Sequence, residues 1–81
     1  MTDSVHTAKY RRLRELLIEA RKAKQLSQWV LAEKLGWVQT AVSKYERGER
    51  RLDVVEFLDV AAALEIDPLK VIRQLNATDR Q

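Results

Sequence analysis

The sequence offers few side chains of the kinds that enzymes use for chemistry. Its single histidine, His6, lies near the N-terminus, and it contains no cysteine. No residues are therefore available for a metal cluster, a catalytic triad or a thiolate nucleophile, and no glycine-rich loop is present to hold a phosphate group. Aspartate and glutamate are plentiful, but their positions are typical of helix caps and solvated helix faces. We expect a protein that is not an enzyme and has neither a metal nor a cofactor.

Basic and acidic residues are unevenly distributed along the chain. Residues 1–51 contain twelve of the fifteen lysines and arginines and six of the twelve aspartates and glutamates, so the formal charge is +6 there and −3 over residues 52–81. This distribution is typical of a molecule with one side that faces a polyanion. An ordinary solvated surface would explain the charges equally well.

The length of 81 residues suits one domain. A chain without cysteine is typical of the cytoplasm, and no segment resembles a signal peptide or is long and apolar enough to span a membrane. We therefore expect one cytoplasmic domain over residues 8–75. It should lie between a flexible N-terminus at 1–7, which lacks hydrophobic periodicity, and a flexible polar tail at 76–81.

Local signals predict an all-α fold of five helices. Apolar residues at three- and four-residue spacing mark one face of a first helix: Tyr10, Leu13, Leu16, Leu17 and Ala20. Helix starts are indicated by Ser27, by Asp53 with Glu56 in a capping box, and by Asp67 with Pro68. Helix ends are indicated at Gly36 and before Gly48. The predicted helices cover residues 8–24, 28–35, 39–47, 54–64 and 68–75. The fourth is predicted to turn five residues inward: Val54, Phe57, Leu58, Ala61 and Leu64.

The segment Gln28–Gly48 carries the most informative pattern. Two short helices joined by a tight turn can share a buried seam only if particular positions are apolar or small. Gly36 permits the turn, and Ala32 lets the two helices approach closely. The other seam positions are all apolar: Leu31, Leu35, Trp37, Val42 and Tyr45. The sequence therefore predicts a helix-turn-helix unit over residues 28–47.

This segment also resembles a known family. LSQWVLAEKLG at 26–36 and QTAVSKYERG at 39–48 are similar to the motifs L-S-Q-x-x-L-A-x-x-L-G and Q-S-x-[IV]-S-[KR]-[YIW]-E-R-G of lambda-repressor/Cro-type (XRE family) helix-turn-helix proteins. The resemblance covers about residues 13–75. It implies a compact five-helix lambda-repressor-like DNA-binding domain. It also implies a transcriptional regulator, a repressor or autoregulator, that binds double-stranded DNA, as short phage repressors and restriction-modification controller proteins do.

The resemblance also assigns roles to particular residues. In this family the third helix lies in the major groove with its N-terminal residues facing the bases. The matching residues here are Gln39, Thr40, Ser43 and Lys44. Gln39 could bind the edge of an adenine, and Lys44 could bind the edge of a guanine. Positions that match phosphate contacts, or extend the basic rim beside them, are Gln28, Arg47, Arg50 and Arg51. Gln28 would also steady Gln39. For each of these side chains, simple solvation is the alternative.

The resemblance also implies a structural role for two residues that would form an ion pair. Arg21 and Glu46 correspond to a partly buried ion pair that holds helix one against helix three.

The sequence departs from the family pattern in several places. Val38 stands at the N-cap of the third helix, where a small polar residue is usual. Trp29 and Val30 occupy helix-two positions that are usually polar, so these three residues together predict an apolar patch and a possible protein partner. The alternative for Trp29 is a ring folded back over its own helix. Glu65 replaces the glycine that usually ends the fourth helix.

The patch leaves a second functional reading open, namely a protein-binding module, antitoxin-like or antiactivator-like, that uses the same fold to bind a partner. For the DNA-binding reading, one unit would contact only about 4–6 base pairs, so a homodimer is expected. Helix five and the residues before it carry more apolar residues than one short helix needs: Ile66, Leu69, Val71, Ile72 and Leu75. We expect these to form the dimer interface.

Overall fold

The computed structural model describes residues 7–78 of the chain. Five α-helices follow one another in this part of the sequence: α1 Ala8–Ala23, α2 Gln28–Leu35, α3 Gln39–Arg47, α4 Val54–Leu64 and α5 Pro68–Asn76. The predicted all-α fold is confirmed, and each predicted helix boundary agrees to within one residue. No helix of residues 7–78 is both long and apolar enough to cross a membrane.

The two segments expected to be flexible fall largely on residues 1–6 and 79–81, which lie outside the described part of the chain. Of the two segments, the structure describes Thr7 and residues 76–78. Thr7 belongs to the helical domain, because its hydroxyl accepts a hydrogen bond from the backbone N–H of Tyr10 at 3.1 Å. Asn76 is the last residue of α5.

The helix boundaries have local causes. Ser27 accepts a hydrogen bond from the N–H of Val30, and Asp53 forms a capping box with Glu56. Gly36 ends α2 with φ of 71°, a left-handed conformation that costs glycine little. Glu65 ends α4 in the same region with φ of 58°, so the helix stops where the family glycine would stop it. Because Glu65 has a Cβ, this conformation costs roughly 1 kcal/mol.

The core lies where α1, α2, α3 and α4 meet. Its largest fully buried side chains are Leu17, Leu31, Val42, Tyr45, Val60 and Leu64. The rings of Trp37 and Tyr45 pack edge to face with centroids 6.3 Å apart. This arrangement stabilises the fold beyond the contribution that burial of the two rings makes. Burial raises the pKa of the Tyr45 hydroxyl above its ordinary value. The predicted seam between α2 and α3 therefore anchors the second helix of the pair to the rest of the domain.

The predicted inner face of α4 is partly wrong. Phe57, Ala61 and Leu64 are buried as expected, but Val54 and Leu58 are exposed. Val60, which was not predicted to point inward, is fully buried. The helix is apolar nearly all round, so its sequence permits more than one inward face. Packing against the neighbouring helices selects the face that contains residues 57, 60, 61 and 64.

Candidate nucleic-acid interface

The exposed side of α3 carries a row of polar side chains. Val42 and Tyr45 fix the opposite side of the helix in the core. The polar row comprises Gln39, Thr40, Ser43, Lys44 and Arg47, and we call it the recognition face. Its members recur at four-residue spacing and therefore share one side of the helix. Thr40, Lys44 and Arg47 are exposed, whereas Gln39 and Ser43 are half-buried. The structure thus brings together all four residues matched to the bases.

Gln39 is held by a neighbour on α2. Its side-chain Nε2 donates a hydrogen bond to Oε1 of Gln28 at 2.8 Å. The Nε2 of Gln28 in turn donates to Oε1 of Glu46, also at 2.8 Å. Gln28 therefore lies where the resemblance places it, beside Gln39. Because both amides are bonded, the first residue of α3 presents its side chain in a restricted orientation.

Glu46 and Arg21 form the ion pair matched by resemblance. Nε of Arg21 lies 2.7 Å from Oε2 of Glu46, and Nη2 lies 3.0 Å from Oε1. Nη1 of Arg21 donates to the carbonyl oxygen of Leu26 at 2.8 Å. The two side chains are only 12% and 6% exposed. Such a paired, fully bonded arrangement holds α1 to α3, and removal of one partner would leave a buried charge.

Arg14 is a further support of α3 that the sequence reasoning missed. Its Nη1 donates to the backbone carbonyl of Glu46 at 3.0 Å, near the C-terminal end of α3. The guanidinium also covers Gly48, where an added Cβ would lie 3.0 Å from Cζ of Arg14. Arg14 precedes Arg21 by two helical turns and so shares its side of α1. That spacing is the signal that could have identified it.

The three arginines expected at the phosphate rim lie in different surroundings. Arg47 is exposed and forms two 3.1 Å hydrogen bonds with Glu49. Arg51 is exposed. Arg50 is bonded to Glu56 at 2.6 Å, and its Cζ lies 5.2 Å from the centroid of the Trp37 ring.

Arg50 therefore links the loop after α3 to the first turn of α4. The backbone N–H of Asp53, and after it Arg50, lower the pKa of Glu56 below its ordinary value. A carboxylate that stays ionised keeps this contact in place. Arg50 thus serves the fold in the free protein, and any contact with phosphate would compete with Glu56.

The apolar patch expected near α3 is present on the surface. Trp29 is 70% exposed and Val38 68% exposed, and Val30 is exposed as well. The Trp29 ring is therefore not folded back over its helix. The three side chains line one open groove together with Trp37 and Gln39. Val38 makes no side-chain cap bond to α3, as its type predicts.

The expected dimer residues divide into two groups. Leu69 and Ile72 are exposed. Val71 is buried in the core of its own chain, and Ile66 and Leu75 pack against that core half-buried. Val71 consequently offers almost no surface to a second chain. Ile72 instead shares a groove with the exposed Val54 of α4.

A helix-turn-helix module is defined by a helix that has an exposed polar side and packs, through buried apolar residues, against the helix before it. The family model described as helix-turn-helix matches residues 17–71 of the chain. A comparison with curated proteins finds no match.

The solved structures that are similar to this one include the following two. An XRE-family like protein from Pseudomonas syringae pv. tomato str. DC3000 superposes with a TM-score of 0.83 at 46% identity, covering 86% of this chain and 85% of that chain. The restriction-modification controller protein C.AhdI from Aeromonas hydrophila superposes with a TM-score of 0.68 at 39% identity, covering 73% of this chain and 86% of that chain. The chain therefore belongs to the XRE-type helix-turn-helix family of DNA-binding transcription regulators.

Proposed function

We propose that this protein acts in the cytoplasm as a dimeric repressor or autoregulator that inserts α3 into the major groove of double-stranded DNA. The observation that carries the proposal is the recognition face. Gln39 is held by Gln28, and the exposed Thr40 and Lys44 follow on the same side of the helix. An α-helix fits the major groove, and amide and ammonium groups match the donor and acceptor pattern of base edges there.

Phosphate contacts would position α3 in the groove. Arg47 lies at the C-terminal end of the recognition face, and the exposed Arg51 lies in the loop that follows. Both can turn toward a phosphate, because an exposed pair such as Arg47 with Glu49 is weakly held. Arg50 is a weaker candidate for the same role, since Glu56 and Trp37 already contact it.

A second copy of the chain would supply the second half-site. Four exposed apolar residues of α4 and α5 form what we call the apolar face: Val54, Leu58, Leu69 and Ile72. A fifth, Val55, is exposed on α4 as well. Two of them, Val54 and Ile72, line one groove, so the face continues from one helix to the other. Dimers of such modules read half-sites about 34 Å apart, one turn of DNA. A dimer bound across a promoter, including its own, would exclude polymerase and so repress transcription.

Selection from a pool of random DNA duplexes tests this proposal. The full chain should enrich one sequence with two half-sites, and Gln39→Ala should lose the base preference at one position of each half-site. A mobility-shift experiment with the protein's own promoter DNA should then show a specific complex. Binding that is equal for every sequence would contradict the proposal, because a recognition face that reads bases must distinguish them.

The exposed patch supports a second candidate function, a protein-binding module of the antitoxin-like or antiactivator-like kind. Trp29, Val30 and Val38 are exposed apolar side chains that line one open groove, and exposed apolar patches are typical of interaction sites. Trp29→Ala distinguishes the two functions. If DNA binding is the function, this variant should keep its selected sequence. If the chain binds no specific DNA, a partner that is lost on Trp29→Ala would identify the second function.

A further inference from the structure

The loop between α3 and α4, residues 48–53, is held at both ends by α1. Arg14 contacts the start of the loop. Its Nη1 donates to a backbone carbonyl in the last turn of α3 at 3.0 Å, and its guanidinium covers Gly48. Tyr10 contacts the end of the loop, because its hydroxyl accepts a hydrogen bond from the backbone N–H of Leu52 at 2.9 Å. Tyr10 and Arg14 are four residues apart, so they share one side of α1.

The two residues on either side of Arg51 are both attached to other elements of the fold. Leu52 is held twice, since its side chain is buried in the core and its N–H is bonded to Tyr10. On the other side, Arg50 is bonded to Glu56 of α4 at 2.6 Å. Arg51 itself is exposed. Its backbone is therefore restricted by its neighbours, whereas its side chain remains open to solvent.

A restricted backbone beneath an exposed arginine lowers the cost of binding a phosphate. A loop that moves in the free protein must be ordered when it binds, and the conformational entropy lost at that point subtracts from the affinity. A loop that is already held in the binding geometry loses less. Because phosphate contacts carry no sequence information, such a gain should be the same for every DNA sequence.

We propose that Tyr10 is a positioning residue for DNA binding, whose hydroxyl holds the loop so that Arg51 is presented to a phosphate. The inference rests on the proposed function, and it adds to the DNA-binding machinery a residue that lies on the apolar side of α1, away from the recognition face. Tyr10 acts on DNA only through the loop and Arg51. Its hydroxyl should therefore raise the affinity for DNA without changing which sequence is selected.

The first test removes a single oxygen atom. Tyr10→Phe keeps the aromatic ring and the charge of the chain, and it leaves the N–H of Leu52 without its partner. Fluorescence anisotropy, at a temperature at which every variant is folded, should show binding weakened by about three- to tenfold, equally for the selected sequence and for random DNA. Because the charge is unchanged, this loss cannot come from a weaker long-range attraction to DNA.

A double-mutant cycle shows whether Tyr10 acts through Arg51. Arg51→Ala alone should weaken binding and flatten the dependence of log K on log salt by about 0.9. In the Arg51→Ala background, Tyr10→Phe should cause no further loss, because no arginine remains there to be positioned. A role confined to stability predicts no loss in either background, and a direct contact of the hydroxyl with DNA predicts the same loss in both. Either result would overturn the inference.

The matched control is Ala62→Gly, at an exposed position inside α4 and outside the loop. Glycine destabilises a helix interior, as the lost hydrogen bond of Leu52 destabilises the fold, but it leaves the contacts of the loop in place. The affinity of this variant for both DNAs should be unchanged. An equal loss of affinity in Ala62→Gly and Tyr10→Phe would show that affinity merely follows stability, contrary to the inference.

A measurement without DNA tests the hydrogen bond itself. In NMR spectra of the unmodified chain the backbone N–H of Leu52 should exchange slowly with solvent, and in Tyr10→Phe it should lose this protection while the N–H groups of α3 keep theirs. The backbone of Arg51 should also become more mobile in the variant, as measured by its order parameter. A Leu52 N–H that exchanges equally fast in both proteins would contradict the inference.

The outcomes distinguish this inference from the function on which it rests. If the unmodified chain selects no sequence, the proposed function is wrong and the inference is overturned with it. If it selects a sequence and binds it equally well after Tyr10→Phe, or after Arg51→Ala, the function stands and the inference is wrong.

Discussion

The recognition face and the apolar face are held by different kinds of interaction. Behind the recognition face, directional bonds join four side chains, and the Arg21–Glu46 ion pair at the inner end of this series is almost completely buried. The apolar face has no such network among the described residues, only exposed aliphatic groups on α4 and α5. Directional bonds specify one geometry, as reading base edges requires. Apolar burial favours association without specifying orientation, as suits the proposed contact with a second copy.

Substitution in the buried Arg21–Glu46 ion pair should lower the free energy of unfolding more than any other change considered below. Arg21→Ala should lower the free energy of unfolding by about 3–5 kcal/mol, because Glu46 is left buried without its partner. Urea denaturation measures this loss. The matched control is Arg12→Ala on the same helix, whose pair with Glu15 is far more exposed and should contribute under about 1 kcal/mol. Equal losses in the two variants would show that the ion pair is not special.

Single substitutions on the recognition face should weaken binding to the selected sequence without weakening binding to random DNA. Gln39→Ala and Lys44→Ala should each weaken binding to the selected sequence by roughly 1–3 kcal/mol and leave binding to random DNA nearly unchanged. Fluorescence anisotropy with both DNAs measures the difference. If the two DNAs lose affinity equally, these residues contact the backbone rather than the bases.

A charge placed on the apolar face should break the dimer and leave the monomer folded. Ile72→Asp should weaken self-association by tenfold or more, about 1.4 kcal/mol, since a carboxylate would have to be desolvated at the interface. Analytical ultracentrifugation measures the association constant. Gln74→Asp introduces the same charge elsewhere on α5 and should preserve the dimer. Unmodified protein that remains monomeric at tens of micromolar and on DNA would contradict the proposed interface.

The phosphate rim provides a finer comparison between two arginines. Arg47→Ala should flatten the dependence of log K on log salt by about 0.9, the value of one phosphate contact. Arg50→Ala should instead lower the melting temperature and leave the slope nearly unchanged, because Arg50 contacts Glu56 and Trp37. A flatter slope in Arg50→Ala would mean that this arginine leaves Glu56 when DNA binds.

The smallest effect concerns the end of α4. Glu65→Gly should raise the free energy of unfolding by about 0.5–1 kcal/mol, because glycine adopts the left-handed conformation without a Cβ penalty. The lost pair with Lys24 is exposed and offsets little of this gain. Ala62→Gly, inside the same helix, should instead destabilise by about 1 kcal/mol. Thermal unfolding distinguishes the two signs.

The helix boundaries could be predicted from the sequence because their causes are local. Ser27, Asp53 and Pro68 act on residues within one turn, and Gly36 needs only its own backbone freedom. The residues proposed to face the groove were identified by resemblance to a family, and the four-residue spacing along α3 places them on one side of the helix. Neither the helix boundaries nor this spacing depends on the position of another helix.

Only the tertiary structure decided which side of α4 is buried, since an apolar helix with more than one possible inner face is oriented by its neighbours. The same is true of Arg14 and Arg50, whose partners on other elements do not follow from residue type. The order of donors and acceptors from Arg21 to Gln39 likewise depends on helices meeting in space, because Arg21 and Glu46 lie 25 residues apart. The sequence determined which residues are present in the network, and packing determined the direction in which they are bonded.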